Sequence, residues 1–288
     1  MRSDRSDRSK LTLSQKVGLR QVRRKAGKRR DEPLSSEDWA AWAQLNDIPI
    51  NRALHRLWRA LPSSPRCGIC AAPFAGLGRW IVRPFGFQPS RKNPTLCAAC
   101  VESSPPGGMK MQAGVLFADL RGFTARFDGG DPEEASFVLR RFYLCAEDVL
   151  FPDAVIDKLI GDEVMALYLP DFKRTISPSD VPTVMLEHGR GLLRAVGYGS
   201  DEGPFVEMGI GLDIGEAFVG NIGQRARYDF TAVGDVVNTA SRLQAEAAGG
   251  EIVLSERVAS GLATPVGARV ELTLKGKSEP QTAYRLRI

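Results

Sequence analysis

A chain of 288 residues with 43% apolar and 25% charged residues has the ordinary balance of a globular protein, with room for one or two domains. No apolar run approaches the roughly 20 residues of a transmembrane helix, and the N-terminus lacks the apolar segment of a secretory signal, so a cytoplasmic location is expected. The formal charge of +5 misleads until it is located: residues 1–30 carry twelve Lys/Arg against Asp4 and Asp7, which leaves the remainder mildly acidic.

Residues 1–33 repeat RSDRSDRS, end in KAGKRRDEP and show almost no apolar periodicity, which predicts a disordered basic arm. A solubilising tail is the favoured role; contact with nucleic acid or an anionic membrane is the alternative. Residues 34–61 form an amphipathic helical segment. Ser35 and Asp38 resemble a capping box ahead of Trp39 and Trp42, and Leu54, Leu57, Trp58 and Leu61 recur at helical spacing. That face is expected to pack on the next module or on a second subunit.

Residues 62–101 contain Cys67-x-x-Cys70 and Cys97-x-x-Cys100, with 26 residues between the pairs. Two such knuckles present four thiolates to one tetrahedral ion. The gap exceeds that of a simple ribbon, so a zinc-ribbon or treble-clef-like module is expected. Structural zinc is the first assignment, and an iron–sulfur cluster satisfies the same four ligands. ESSPPGGMK, 102–110, has the composition of a linker, and all four tryptophans precede it.

From residue 111 onward strands and helices mix. A strand at 113–119 leads to a helix starting at Asp131-Pro132, then a hairpin at 154–168 and a helix near 180–196. Strands at 205–214 and 216–222, divided by Gly215, come next. A strand at 228–233 runs into a helix at 235–247, and EIVLS, a short helix, VELTLKG and AYRLRI complete the pattern. This order predicts an α+β fold, a mixed sheet with helices on one face. Cys145 is expected to be a buried thiol.

Two apolar strands end abruptly on aspartates, Asp119 in VLFADLRGFT and Asp162 in KLIGDEVMALY. Paired carboxylates on neighbouring strand ends suit a two-magnesium phosphoryl-transfer site, and Gly122 allows close backbone approach to a phosphate.

These blocks, followed by GIGLDIGEAFVGNIG and YDFTAVGDVVNTASRL, resemble in order the catalytic domain of class III nucleotidyl cyclases, over about residues 111–288. The resemblance implies a ferredoxin-like domain that pairs head to tail as a homodimer with composite active sites. It implies metal ligation (Mg or Mn) by Asp119, Asp162 and the Leu120 carbonyl, with the phosphates held near Gly122, Phe123 and Thr124. Lys158 and Thr231 match the base-reading pair, and a Lys donor with a Thr acceptor suits adenine. Asn238 matches the ribose-positioning asparagine, Arg242 the transition-state arginine, and Lys275 a lysine at the terminal phosphates; Arg225 or Arg227 could act likewise. The implied activity is an adenylate cyclase converting ATP to cyclic AMP and pyrophosphate. A guanylate cyclase is the alternative within the class. Outside it stands a metal-dependent sensor or nucleic-acid-binding protein that uses this domain only to dimerise.

Overall fold

A computed structural model of the chain describes residues 22–24, 27, 32, 34–46, 49–61, 63, 65–90, 95–101, 105–151, 153–170, 176–224 and 227–288. Most of the expected basic arm, and residues 102–104 of the expected linker, lie outside the described residues. The chain divides into two compact units, Met1–Met111 with Phe218–Ala232 and Gln112–Ala217 with Val233–Ile288.

In the first unit, α1 (Ser36–Asn46) starts where the capping pattern places it. Ser35 Oγ donates to Asp38 Oδ2 at 2.6 Å and accepts from the Asp38 N–H at 3.3 Å. Trp39 is buried, and its indole N–H donates to the Pro105 carbonyl at 3.2 Å. From α2 (Pro49–Ala60), Trp58 packs among Cys67, Cys70, Phe74, Val82 and Cys97, so this helix is anchored on the four-cysteine module. The Arg66 guanidinium donates to the carbonyls of Trp58, at 2.7 Å, and Leu61, satisfying the end of α2. Two short helices complete the module, α3 (Gly76–Val82) and α4 (Ala98–Val101).

Strand β1 (Gly107–Leu120) begins earlier than expected and absorbs the last four residues of the linker. The reason is close backbone packing. A Cβ on Gly108 would strike the Val219 carbonyl, and one on Gly107, at φ +107°, would lie 2.6 Å from the Leu34 oxygen. Glycines that suggest a flexible linker instead let the strand approach its neighbours.

The remaining elements are α5 (Phe123–Phe127), α6 (Pro132–Leu150), β2 (Val155–Ile160), β3 (Glu163–Tyr168), α7 (Val181–Ala195), β4 (Met208–Gln224), β5 (Arg227–Val233), α8 (Asp235–Glu246), β6 (Glu251–Ser255), α9 (Glu256–Ser260), β7 (Ala268–Leu272) and β8 (Gln281–Arg287). The strands run β2-β3-β1-β4-β6-β8-β7, with β5 beside β4; β4 and β6 are parallel, while β1/β3, β2/β3, β6/β8 and β7/β8 are antiparallel. β4 is one strand, not two. Gly215 does not break it; it makes room for the Arg257 guanidinium and Val236, which lie 3.3 and 3.4 Å from where its Cβ would sit.

Helices cover both sheet faces instead of one. Ile252 and Leu254 of β6 join a core with Val138, Phe142 and Ala146 of α6 and Met185 and Leu192 of α7. Val253, pointing the other way, packs with Leu243 and Ala247 beneath α8. Each fully buried Leu, Phe or Met in these layers contributes about 1.5–3 kcal/mol relative to exposure. Asp131 caps α6 by accepting from the Glu133 N–H at 2.9 Å, with Pro132 at the first helical position.

Candidate active site and four-cysteine centre

The antiparallel pairing of β1 with β3 brings Asp119, just before the end of β1, beside Asp162, which lies in the β2–β3 turn and not at the end of a strand. Asp119 lies opposite Glu163, and the Leu120 N–H donates to the Asp162 carbonyl at 3.1 Å. Gly161, at φ +60°, makes the turn before Asp162, and the Tyr143 hydroxyl pins that turn by donating to the Gly161 carbonyl. Burial pushes the Asp119 carboxyl above its ordinary range; nearby Arg121 opposes this and Asp162 adds to it. Glu163 is raised by burial and then by the same two aspartates. Burial and neighbouring negative charge disfavour the charged forms of Asp119 and Glu163 at this corner, and a divalent cation would relieve that cost. Gly122, at φ +67°, opens α5, where Phe123 is half-buried against Phe127 and Thr124 is exposed. Leu120 is buried. Arg121 and Tyr143 carried no signal in the sequence patterns, because each acts through contacts made by distant elements.

Helix α8 has two distinct faces. Val236, Thr239, Ala240, Leu243 and Gln244 are buried, whereas Asn238 is exposed and Arg242 half-buried. With about 100° of rotation per residue, Arg242 stands roughly 200° from Gln244. The buried Gln244 side chain is among the groups acting on the Asp119 carboxyl, and its main-chain carbonyl accepts from Arg121, whose Nη1 is 3.9 Å from Asp119 Oδ1. Arg242 is thus turned away from the aspartate corner of its own chain. Among the described residues no hydrogen bond or ion pair joins Asp119 or Asp162 to Asn238, Arg242 or Lys275.

Lys275 is exposed on a loop that lies against α8. Leu274 anchors the loop in the core beneath the helix, and Arg242 Nη2 is 3.3 Å from where a Gly276 Cβ would sit. Lys277 Nζ holds both Asp235 oxygens, at 2.6 and 2.7 Å, and this bond lowers the Asp235 pKa. The repeated lysines of LKGK were the available signal for this second contact. Lys158 pairs with Met165 just after a register shift in β2, and its side chain lies outside the described residues. Thr231 is buried on β5, in the first unit. Arg225 lies outside the described residues, as does the side chain of Arg227.

The two Cys-x-x-Cys pairs converge. The ligand atoms of Cys67, Cys70, Cys97 and Cys100 all lie within 4.8 Å of one another. The first knuckle is closed by the Ala71 N–H to the Cys67 carbonyl at 2.9 Å, with Ala71 in the left-handed region at φ +58°. Backbone N–H groups of Ile69 and Cys97 donate to Cys67 Sγ at 3.4 and 3.2 Å, and that of Cys100 donates to Cys97 Sγ at 3.3 Å. Such donors favour sulfur in its thiolate form. Burial works against charge at Cys67, but hydrogen bonds from the other three thiols outweigh it and hold its pKa well below the ordinary value. Burial pushes Cys97 well above. One negative charge is accommodated readily and further ones need a cation, so this donor set fits a metal ion. Cys145 is half-buried, its thiol donating to the Ala195 carbonyl at 3.5 Å.

Sequence reasoning also missed an ion pair between a buried aspartate and a half-exposed arginine. Asp213, fully buried on β4, accepts from Arg257 Nε at 3.1 Å and from Nη2, tying β4 to α9. Its aspartate sits inside an apolar block and its arginine 44 residues away, so no local pattern links them.

Comparison with known proteins places this geometry. Residues 108–287 match the family described as the adenylate and guanylate cyclase catalytic domain. The chain is 28% identical over 191 residues to an adenylate cyclase of Anabaena cylindrica, covering 60% of this chain and 36% of that protein. It is 31% identical over 150 residues to an uncharacterized protein of Mycobacterium tuberculosis, covering 51% of this chain and 26% of that one. It thus spans about a quarter to a third of the length of these curated relatives. Among solved structures it is similar to the guanylyl cyclase Cya2 (TM-score 0.54, 30% identity, 62% of this chain and 93% of that one). It is equally similar in fold to the adenylyl cyclase CyaB from P. aeruginosa (TM-score 0.54, 25% identity, 62% and 95%). No helix among the described residues is long and apolar enough to cross a membrane. The ordered sequence blocks, the mixed sheet and the family match agree: this chain belongs to the adenylate/guanylate cyclase catalytic-domain family, preceded by a compact four-cysteine cluster.

Proposed function

We propose that the chain is an adenylate cyclase that makes 3′,5′-cyclic AMP and pyrophosphate from ATP at composite sites in a head-to-tail homodimer. The observation that carries this reading is the orientation of α8, which turns Asn238 and Arg242 away from Asp119 and Asp162 of the same chain. A second copy is then needed to complete a site. Asp119, Asp162 and the Leu120 carbonyl would hold two divalent cations, Mg or Mn, which when bound neutralise the triphosphate and acidify the ribose 3′-OH. The crowded carboxylates at this corner fit that role.

Backbone N–H groups from Gly122 to Thr124 face the phosphates at the start of α5. Asn238 of the partner subunit positions the ribose. Arg242 of the partner subunit stabilises charge that grows at the α-phosphate, an interaction made chiefly in the transition state. Lys275 meets the terminal phosphates, and the Lys277–Asp235 ion pair steadies the loop that carries it. For the base, Lys158 of the partner subunit faces adenine N1 as a donor and the hydroxyl of the partner subunit's Thr231 accepts from the exocyclic amine; guanine would leave donors opposed at N1.

Residues 111–288 act in this account as the catalytic domain, and residues 62–101 as a zinc-stapled module that sets the pairing of two such domains. An iron–sulfur cluster in the same ligands would be coloured and redox-active. The test is a product assay with ATP and GTP side by side in Mg or Mn, with metal analysis of the same sample. Cyclic AMP with a colourless protein carrying zinc is the expected result. Cyclic GMP alone would reverse the substrate assignment. No product from either nucleotide would favour the dimerising sensor.

A further inference from the structure

We propose that the four-cysteine module docks on an anionic lipid bilayer through α3. This helix is built inside out. Its small or compact residues face the module: Val82 is buried, and Gly78 is pressed so close that a Cβ there would come within 2.7 Å of Pro73. Its large apolar residues face outward. Leu77 is 84% exposed, Trp80 72% and Ile81 51%, and Phe85, one turn on, is 62% exposed. Positions 77, 80 and 81 share one side of a helix. The Gly78 contact fixes the rotation, so the helix cannot roll to bury them. Single exposed apolar residues need no explanation, but four clustered within nine positions do.

Charge selects the occupant. Residues 49–101 contain eight Lys/Arg and no Asp or Glu. Two of these, Arg79 and Arg83, are exposed beside the apolar residues. A second copy of the same patch would set two wholly cationic surfaces against each other. A nucleic acid would use the charges and the rings of Trp80 and Phe85, but it offers nothing to Leu77 and Ile81. An anionic bilayer takes all of it: Leu, Ile and Phe enter below the headgroups, Trp sits at the interface, and the guanidiniums meet lipid phosphates.

The test uses full-length protein and sedimentation with vesicles of phosphatidylcholine alone, or with about one-third phosphatidylglycerol. Binding to the mixed vesicles only is expected, with at least a tenfold loss in the Leu77→Ser, Trp80→Ser, Ile81→Ser triple variant. The residues are exposed, so its metal content and melting should match the parent. The basic arm could hold anionic vesicles by charge alone, so insertion is read separately. Acyl-brominated lipids should quench tryptophan fluorescence in the parent, and Trp80→Phe should lose that quenching while still binding. Equal vesicle binding by parent and triple variant, or quenching that persists without Trp80, overturns the proposal. So does a triple variant that loses only RNA or DNA binding, or only self-association.

Discussion

The four-cysteine module and the catalytic fold hold themselves together by different means. The module has helices of seven and four residues, too short to persist alone, around a small core in which three of the eight buried residues are cysteines. The catalytic fold has a long mixed sheet covered on both faces and needs no ligand to bury its apolar residues. Under the proposed function, the module's structure would be conditional on a bound ion, while the catalytic fold would use its own ions only for chemistry.

The largest expected effect breaks that comparison most directly. Cys67→Ser or Cys97→Ser should abolish stoichiometric metal in the module, forfeiting binding energy of about 10–16 kcal/mol that is also its folding energy. Hydrogen exchange should then show residues 66–101 losing protection while β1, β3 and β6 keep theirs. Collapse of both regions together would erase the distinction.

Next, Arg257→Ala should cost the catalytic fold about 1–3 kcal/mol, measured by denaturant unfolding, because it removes the half-exposed partner of the fully buried Asp213 carboxyl. Even with Arg257 present, burial raises the Asp213 pKa. A raised folded pKa means that the folded state holds extra protons between the unfolded value, near about 4, and the folded one. This group's contribution to stability therefore falls as pH rises through that window. Losing Arg257 extends the window upward, so the gap between variant and parent should narrow on acidification. A gap that widens at low pH would contradict the assignment.

Arg242→Ala should lower kcat about 10²–10³-fold, some 3–4 kcal/mol, with little change in melting, since the side chain lies off the core face of α8. Lost stability would mean that the residue serves the fold and not the reaction. The smallest effects sharpen the comparison within one device. Ser35→Ala and Asp131→Ala each remove a helix cap worth about 1 kcal/mol. The first should loosen α1 locally, and the second should lower the global stability of the catalytic fold.

What could be read from residue order was whatever local pattern carries. The Asp131-Pro132 start of α6, the Asp119 strand end, the Asp162 turn and the paired knuckles all announce themselves within a few positions. Glycines misled wherever close packing, and not bending, needs them: Gly107 and Gly108 extended β1 into an expected linker, and Gly215 lies inside one continuous β4. Contacts between distant segments were silent. Arg257 reaches Asp213, Tyr143 reaches Gly161 and Arg121 reaches the end of α8 only after the sheet has assembled. The outward face of α3 was also invisible, because Leu77, Trp80 and Ile81 have the spacing of a core stripe.

The central claim is that two chains complete each other's sites. Asp119→Ala and Arg242→Ala, each inactive alone, should be mixed under conditions of subunit exchange and assayed with ATP and manganese. Recovery of cyclic AMP synthesis is predicted, because each mixed dimer keeps one site with intact aspartates facing an intact arginine. A mixture as inactive as its components, despite demonstrated exchange, would contradict the account.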